Sequence, residues 1–87
     1  MQQIIIVLGS VNIAAKLFRH VQRDGCLKCA LIKTPAAISG GGCSYSIKAE
    51  ERYLKMIENE AFKRKIKIKG IYREIFEEGE YKYDSLS

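Results

Sequence analysis

The stretch from Thr34 to Ser46 holds the residues best suited to chemistry, because a cysteine follows three consecutive glycines there. It reads Thr-Pro-Ala-Ala-Ile-Ser-Gly-Gly-Gly-Cys-Ser-Tyr-Ser and contains the only proline of the 87-residue chain. The glycines allow backbone conformations with positive φ and a close approach by a ligand. Cys43 should therefore be accessible, beside peptide N–H groups that can form an anion-binding concavity. We predict that Cys43 is a nucleophile or carrier thiolate. The residues predicted to form its binding loop are Thr34, Pro35, Ser39, Gly40, Gly41 and Gly42.

A second cysteine pair, Cys26 and Cys29, has the C-x-x-C spacing of redox and zinc motifs. Here the pair follows a predicted helix and enters a strand, where the negative end of the helix raises rather than lowers a thiol pKa. A zinc site that adds His20 and Cys43 fails on distance, because residues 29 to 34 separate the pair from Cys43 by roughly 16–20 Å. We predict no metal site and no cofactor, and we place one or both of these cysteines in the core.

The apolar pattern predicts the elements that position Cys43. Residues 3–8 form a continuous apolar run typical of a central strand, and Ser10 then suits a helix N-cap. Apolar residues recur at helical spacing until Gly25, which should end the helix. The remaining elements are a strand over 26–33, an alternating strand from Cys43, a helix opened by Glu50 and Glu51, and a strand over 66–75 with a bulge at Gly70.

This β-α-β-β-α-β order predicts an α+β fold of the ferredoxin-like, split βαβ type. Two helices would cover one face of a four-stranded antiparallel sheet. Residues 1–76 would form this single domain, and the acidic residues 77–87 would be a flexible or loosely docked tail.

The predicted topology brings Cys43 close to positive charge. As the first residue of the third strand it would lie beside the end of strand one, near Ser10 and the N-terminal end of helix one. The cations Lys63, Arg64 and Lys65 after the second helix would lie at the same edge. Both a helix N-terminus and nearby cations favour a thiolate over a thiol.

The same stretch resembles a family of selenium/sulfur carrier-like small proteins. Their pattern is Thr-Pro, then a Ser, then a Gly-Cys-Gly-like segment that opens a strand, and Thr34-Pro35, Ser39 and Gly42-Cys43 match it. The resemblance covers roughly residues 4 to 75, and Ser44 stands where a second glycine is expected. It implies a carrier of sulfur or selenium on Cys43, with protein donors and acceptors as partners.

Composition limits the other possibilities. The chain has no apolar run long enough to span a membrane, and its odd number of cysteines, three, fits a reduced compartment, so we expect a cytoplasmic protein. The net charge of +5 divides into +8 over residues 1–76 and −3 over residues 77–87. A basic surface can attract RNA or an acidic protein, but the aliphatic first strand is poor for base stacking, so we do not expect a nucleic-acid ligand.

Three functions therefore stay open at this point. The first is a sulfur or selenium carrier, and the second is a protein-interaction or assembly module without covalent chemistry, which includes a homo-oligomer. The third is a small RNA-binding module. We expect a carrier or binding protein rather than an enzyme, because no paired carboxylates or second histidine accompany His20.

Overall fold

Five strands form one antiparallel sheet in the computed structural model, which describes residues 2–26, 28–39 and 42–86. The strand order is β2-β3-β1-β4-β5, and each neighbouring pair is antiparallel. The α+β class is therefore confirmed. The elements are β1 (Gln3–Val7), α1 (Val11–Arg23), β2 (Ala30–Lys33), α2 (Ala36–Ser39), β3 (Tyr45–Glu50), a 3₁₀ turn (Glu51–Tyr53), α3 (Leu54–Lys63), β4 (Gly70–Glu77) and β5 (Glu80–Ser85).

The prediction of four strands and two helices was incomplete. The short helix α2 lies in the stretch that we expected to be a loop, and β5 lies where we expected a loosely ordered tail. The chain reverses between β4 and β5 through Glu78 and Gly79, which both have positive φ, at 51° and 77°. Positive φ at both central positions is the geometry of a two-residue type I′ hairpin turn, so the acidic segment pairs with β4 along its length.

Aromatic side chains help to hold β5 on the sheet. The rings of Phe76 and Tyr81 lie opposite each other, with centroids 4.8 Å apart. The hydroxyl of Tyr83 donates to the Glu74 carboxylate at 3.1 Å. Cross-strand pairs of this kind stabilise a sheet, and they explain why this polar segment is a strand.

Four predicted starts of strands or helices were also displaced. β2 begins at Ala30 rather than at Cys26. β3 begins at Tyr45 rather than at Cys43, and α3 begins at Leu54 because Glu50 is still in β3. β4 begins at Gly70, which pairs with Val7, and the register then continues residue by residue without a bulge. For β4 the physical reason is that a strand needs a paired neighbour, and β1 ends at Val7, the partner of Gly70.

Both predicted ends of α1 are confirmed. The Ser10 hydroxyl accepts a hydrogen bond from the Ile13 N–H at 3.4 Å, as an N-cap does. Gly25 follows the helix with a φ of 105°, in the region that favours glycine.

The core lies between one face of the sheet and the two longer helices. Ile4, Ile6 and Leu8 alternate onto this face, and all are fully buried. They meet apolar residues spaced at three or four along the helices, which is the spacing that places side chains on one stripe. These are Ala14, Leu17 and Val21 of α1 and Ile57 and Ala61 of α3.

The opposite face of the sheet carries polar and aromatic side chains. Ile5 lies on this face between its strand partners Lys48 and Tyr72, and it is fully buried. The Lys48 ammonium is 2.9 Å from the Glu74 carboxylate, whose side chain is itself largely buried. Long side chains therefore cover the aliphatic centre of this face.

Candidate functional site

The ends of β1 and β2 and the starts of β3 and β4 meet at one edge of the sheet. The pairs Val7–Ser46, Val7–Gly70 and Lys33–Tyr45 fix this arrangement. The loop that carries Cys43 precedes β3, so it also lies at this edge. The loop before β3 thus lies beside the end of β1, as the element order predicted.

Cys43 is exposed and lines a cavity of about 320 Å³ that we call the thiol cavity. One wall comes from β1 and the start of β4, and another comes from α2 and the loop that follows it. The residues that line the thiol cavity are Val7, Ile38, Ser39, Gly42, Cys43, Ser44, Lys69, Gly70 and Tyr72.

A chain of three hydroxyl groups joins β2 to the start of β3 beside Cys43. The Ser44 hydroxyl donates to Thr34 Oγ1 at 2.9 Å, and the hydroxyls of Thr34 and Ser46 are 2.6 Å apart. The Thr34 N–H also donates to the Ser44 carbonyl at 3.0 Å. Thr34 and Ser46 are buried, so these bonds satisfy polar groups that have left water. Thr34 therefore holds the residue that follows Cys43.

The backbone groups of Pro35 and Ser39 form hydrogen bonds within the loop. The Pro35 carbonyl accepts hydrogen bonds from the N–H groups of Ile38 and Ser39, at 2.9 and 3.0 Å, and so forms α2. The Gly42 N–H donates to the Ser39 carbonyl at 3.3 Å, so it is already engaged within the loop. The predicted binding residues Gly40 and Gly41 lie outside the described residues.

A second cavity, the basic cavity, has a volume of about 420 Å³ and lies next to the thiol cavity. It is lined by Gly9, Ile13, Lys16, Arg64, Lys65, Ile66, Lys67 and Lys69. Lys69 lines both cavities. Its ammonium lies 3.9 Å from the position that a β-carbon on Gly9 would occupy, which places it over the end of β1.

The cations named from the sequence divide between the cavities at this edge. Arg64 and Lys65 line the basic cavity, and Lys63 lines a neighbouring cavity that also includes Lys65. None of these three lines the thiol cavity. Ser10 caps α1 and is likewise not part of the lining.

Sequence reasoning missed Lys69 and Tyr72 as neighbours of Cys43. The Tyr72 ring packs over Gly70, because its Cε1 atom lies 3.0 Å from the position of a β-carbon on that glycine. The topology contained the signal, since the start of strand four must lie beside the end of strand one. Because the predicted strand began at residue 66 rather than at Gly70, the prediction placed the wrong residues beside the end of strand one.

The other two cysteines occupy a different environment. Cys26 is fully buried in the core, and the Cys29 thiol donates to the Cys26 carbonyl at 2.9 Å. Burial is the main cause that raises the pKa of Cys26 to about 12, and the hydrogen bond with Cys29 adds to it. A thiol with this pKa is almost entirely protonated at neutral pH.

Among residues 2–26, 28–39 and 42–86, no group of three or more His, Cys, Asp or Glu side chains is arranged to hold a metal ion. In the same ranges, no helix has the length and apolar character needed to cross a membrane.

The fold and the site define a small α+β protein whose one exposed cysteine lines a cavity bordered by lysine. The chain belongs to the family described as "Putative Se/S carrier protein-like", whose model matches residues 3–73. This match confirms the resemblance drawn from the Thr34–Ser46 stretch. No curated protein and no solved structure matches the chain.

Proposed function

We propose that this protein carries sulfur or selenium as an adduct on Cys43 and passes it to a partner protein. The observation that supports the proposal is the contrast among the three free cysteines. Cys43 is exposed in a cavity, whereas Cys29 is half-buried and Cys26 is fully buried. Family membership favours the same chemistry.

The transfer step needs no cofactor if the donor is a persulfide. The Cys43 thiolate attacks the outer sulfur of the donor, a new S–S bond forms on Cys43, and the donor leaves as a thiolate that takes up a proton. The sum of oxidation states does not change, because one S–S bond breaks as another forms. An acceptor thiolate then attacks the outer sulfur of the Cys43 persulfide and regenerates the thiol.

Lys69 and Tyr72 are the groups best placed to assist this step. A persulfide or selenopersulfide adduct carries negative charge at neutral pH, and Lys69 is among the residues that line the same cavity as Cys43. The Tyr72 hydroxyl offers a hydrogen-bond donor in the same wall. Charge-assisted hydrogen bonds of this kind would hold the adduct between donor and acceptor.

Intact-mass spectrometry after incubation with a persulfide or selenopersulfide donor, whose outer sulfur or selenium the Cys43 thiolate can attack without an added oxidant, tests the proposal. We expect a reducible mass gain of one sulfur or selenium atom in the wild type and in Cys29→Ser. The Cys43→Ser variant should show none. An adduct that persists in Cys43→Ser, or no adduct in the wild type, would reject carrier chemistry on this residue.

Two finer assignments accompany the proposal. The order β2-β3-β1-β4 and the packing of α1 and α3 against one face support a ferredoxin-like core, to which β5 adds an edge strand. The three free cysteines favour a reducing compartment such as the cytoplasm.

An interaction module without covalent chemistry is the second candidate. It is favoured by Phe76 and Tyr81, which are 62% and 58% exposed and whose rings contact each other in a tilted arrangement at one end of the sheet. Exposed aromatic pairs of this kind are common at protein interfaces. This candidate would be supported if light scattering detects a dimer of the wild type and a monomer of Phe76→Ser, and if Cys43 is unreactive.

A further inference from the structure

The basic cavity is a cluster of positive charge on the surface that the proposed transfer step does not use. Five of its lining residues are cations, and no acidic residue is among the lining residues. Arg64 is paired with Glu60, whose Oε1 atom lies 3.1 Å from the Arg64 Nε. The described part of the chain shows no ion pair for Lys16, Lys65, Lys67 or Lys69.

The pKa of His20 is lowered in part by cations on this side of the molecule. Desolvation, followed by the charges of Arg64 and Arg23, lowers the pKa of His20 on the neighbouring turn of α1. Glu60 acts in the opposite direction, but the net shift is downward.

Three of the lysines are arranged by an extended segment. Along residues 66–69 exposure alternates: Ile66 and Ile68 pack against the core, whereas Lys67 and Lys69 are exposed. In an extended chain two residues advance about 6.6 Å, so Lys65, Lys67 and Lys69 form a row of charges about 13 Å long. All three line the basic cavity.

Lys65 occupies its place against local preference. Its φ is 57°, in the left-handed region, and the bond from the Ile66 N–H to the Ala61 carbonyl closes α3 around it. Glycine or asparagine is usual at this position after a helix, because a side chain there is strained. This conformation fixes the point at which Lys65 leaves α3 and joins the segment 66–69.

We propose that the basic cavity binds an extended, acidic segment of a partner protein and directs it toward Cys43. Acidic residues at alternate positions of an extended peptide repeat at the same spacing as the lysine row. Because Lys69 lines both cavities, a segment bound along the row ends at the thiol cavity. This inference rests on the proposed function, because the acidic segment would belong to the protein that donates sulfur or selenium to Cys43 or accepts it.

The chemistry of the cavity favours a peptide over other anions. Single-stranded RNA binding uses aromatic side chains on which bases stack, and the lining residues include none. A phosphate group is best held by an arginine fork, and Arg64 already pairs with Glu60. The exposed Ile13 and the half-buried Ile66 offer apolar contacts between the charges, which suits a peptide chain.

The test is an NMR titration of ¹⁵N-labelled protein with a capped peptide in which four Glu alternate with Thr. We expect amide shifts at residues 64–69, Gly9 and Ile13, and weaker binding as salt rises. The double variant Lys65→Glu, Lys67→Glu should bind about tenfold more weakly. The matched control Lys28→Glu, Lys55→Glu has the same net charge and should bind within about twofold of the wild type.

Several outcomes would overturn the inference. These are equal losses in the two double variants, tighter binding of a uridine oligonucleotide than of the peptide, or no shift at residues 64–69. Concentration-dependent shifts without peptide at both residues 64–69 and residues 77–80 would also overturn it, because they would indicate that the acidic turn Glu77–Glu80 of a second copy occupies the cavity.

Two variants separate this inference from the proposed function. Cys43→Ser should bind the peptide as the wild type does, because the cavity does not include the thiol. The Lys65→Glu, Lys67→Glu variant should still form the adduct on Cys43 with a small persulfide donor. A failure of peptide binding would thus leave the carrier chemistry intact, and a failure of the carrier chemistry would leave peptide binding intact.

Discussion

The substitution Thr34→Val tests whether the hydroxyl chain beside Cys43 stabilises the fold. Valine keeps the shape of threonine but removes Oγ1, which lies 2.9 Å from the Ser44 hydroxyl and 2.6 Å from that of Ser46. Each lost hydrogen bond costs about 1 kcal/mol, and a buried hydroxyl left without a partner costs about 1–3 kcal/mol. Ser46 is fully buried, so we expect the free energy of unfolding to fall by about 2–3 kcal/mol.

Urea denaturation followed by circular dichroism measures this change, and a domain of this size should also melt about 10–20 °C lower. Thr34→Ser is the matched control, because it keeps the hydroxyl and should cost less than about 1 kcal/mol. Adding Ser46→Ala to Thr34→Val should cost less than the sum of the single changes, since no orphaned hydroxyl remains at residue 46. A Thr34→Val variant as stable as the wild type would show that these bonds contribute nothing.

Three further predictions concern other parts of the molecule. In the folded protein, iodoacetamide should modify Cys26 at least about 30-fold more slowly than the exposed Cys43, because Cys26 is fully buried and burial raises its pKa from 9.0 to about 12, which lowers its thiolate fraction more than it raises its nucleophilicity; peptide mapping with time measures the rates, and equal rates would contradict the burial of Cys26. Glu78→Asn should stabilise the protein by about 1 kcal/mol in thermal denaturation, because asparagine tolerates positive φ; a loss of stability would exclude a type I′ turn. Arg73 donates to both oxygens of Glu51, at 2.9 and 3.0 Å, and lowers the pKa of that carboxyl, so its stabilising effect is present above pH 4.5 and is lost as pH falls through the lowered pKa. Arg73→Gln should therefore be less stable than the wild type at neutral pH and nearly equal to it in acid, and a gap that widens in acid would refute the assignment.

The predictions from sequence succeeded where the signal was local. Ser10 and Gly25 bound α1 as expected, because capping and positive φ depend on the residue itself. The helical stripe that includes Ile57 and Ala61 was also correct, since burial repeats with the helical period. Predictions that depended on pairing partners were less accurate, and the starts of β3 and β4 moved by two and four residues to Tyr45 and Gly70.

The sequence by itself determined the class of fold, the family and the position of Cys43 at one edge of the sheet. The periodicity of apolar residues predicts the order of the elements, and that order places the loop before β3 beside the end of β1. The resemblance to the family, noted over roughly residues 4 to 75, is confirmed by the match over residues 3–73.

Only the tertiary structure decided which groups surround the thiol. Lys69 rather than Lys63 lines the thiol cavity, because Ile66 and Ile68 dock on the core and fix the path of the extended segment between them and β4. The fifth strand likewise depends on β4, since an edge strand exists only when its backbone groups find a partner. Neighbours that come from distant parts of the chain are set by packing, and no local pattern encodes them.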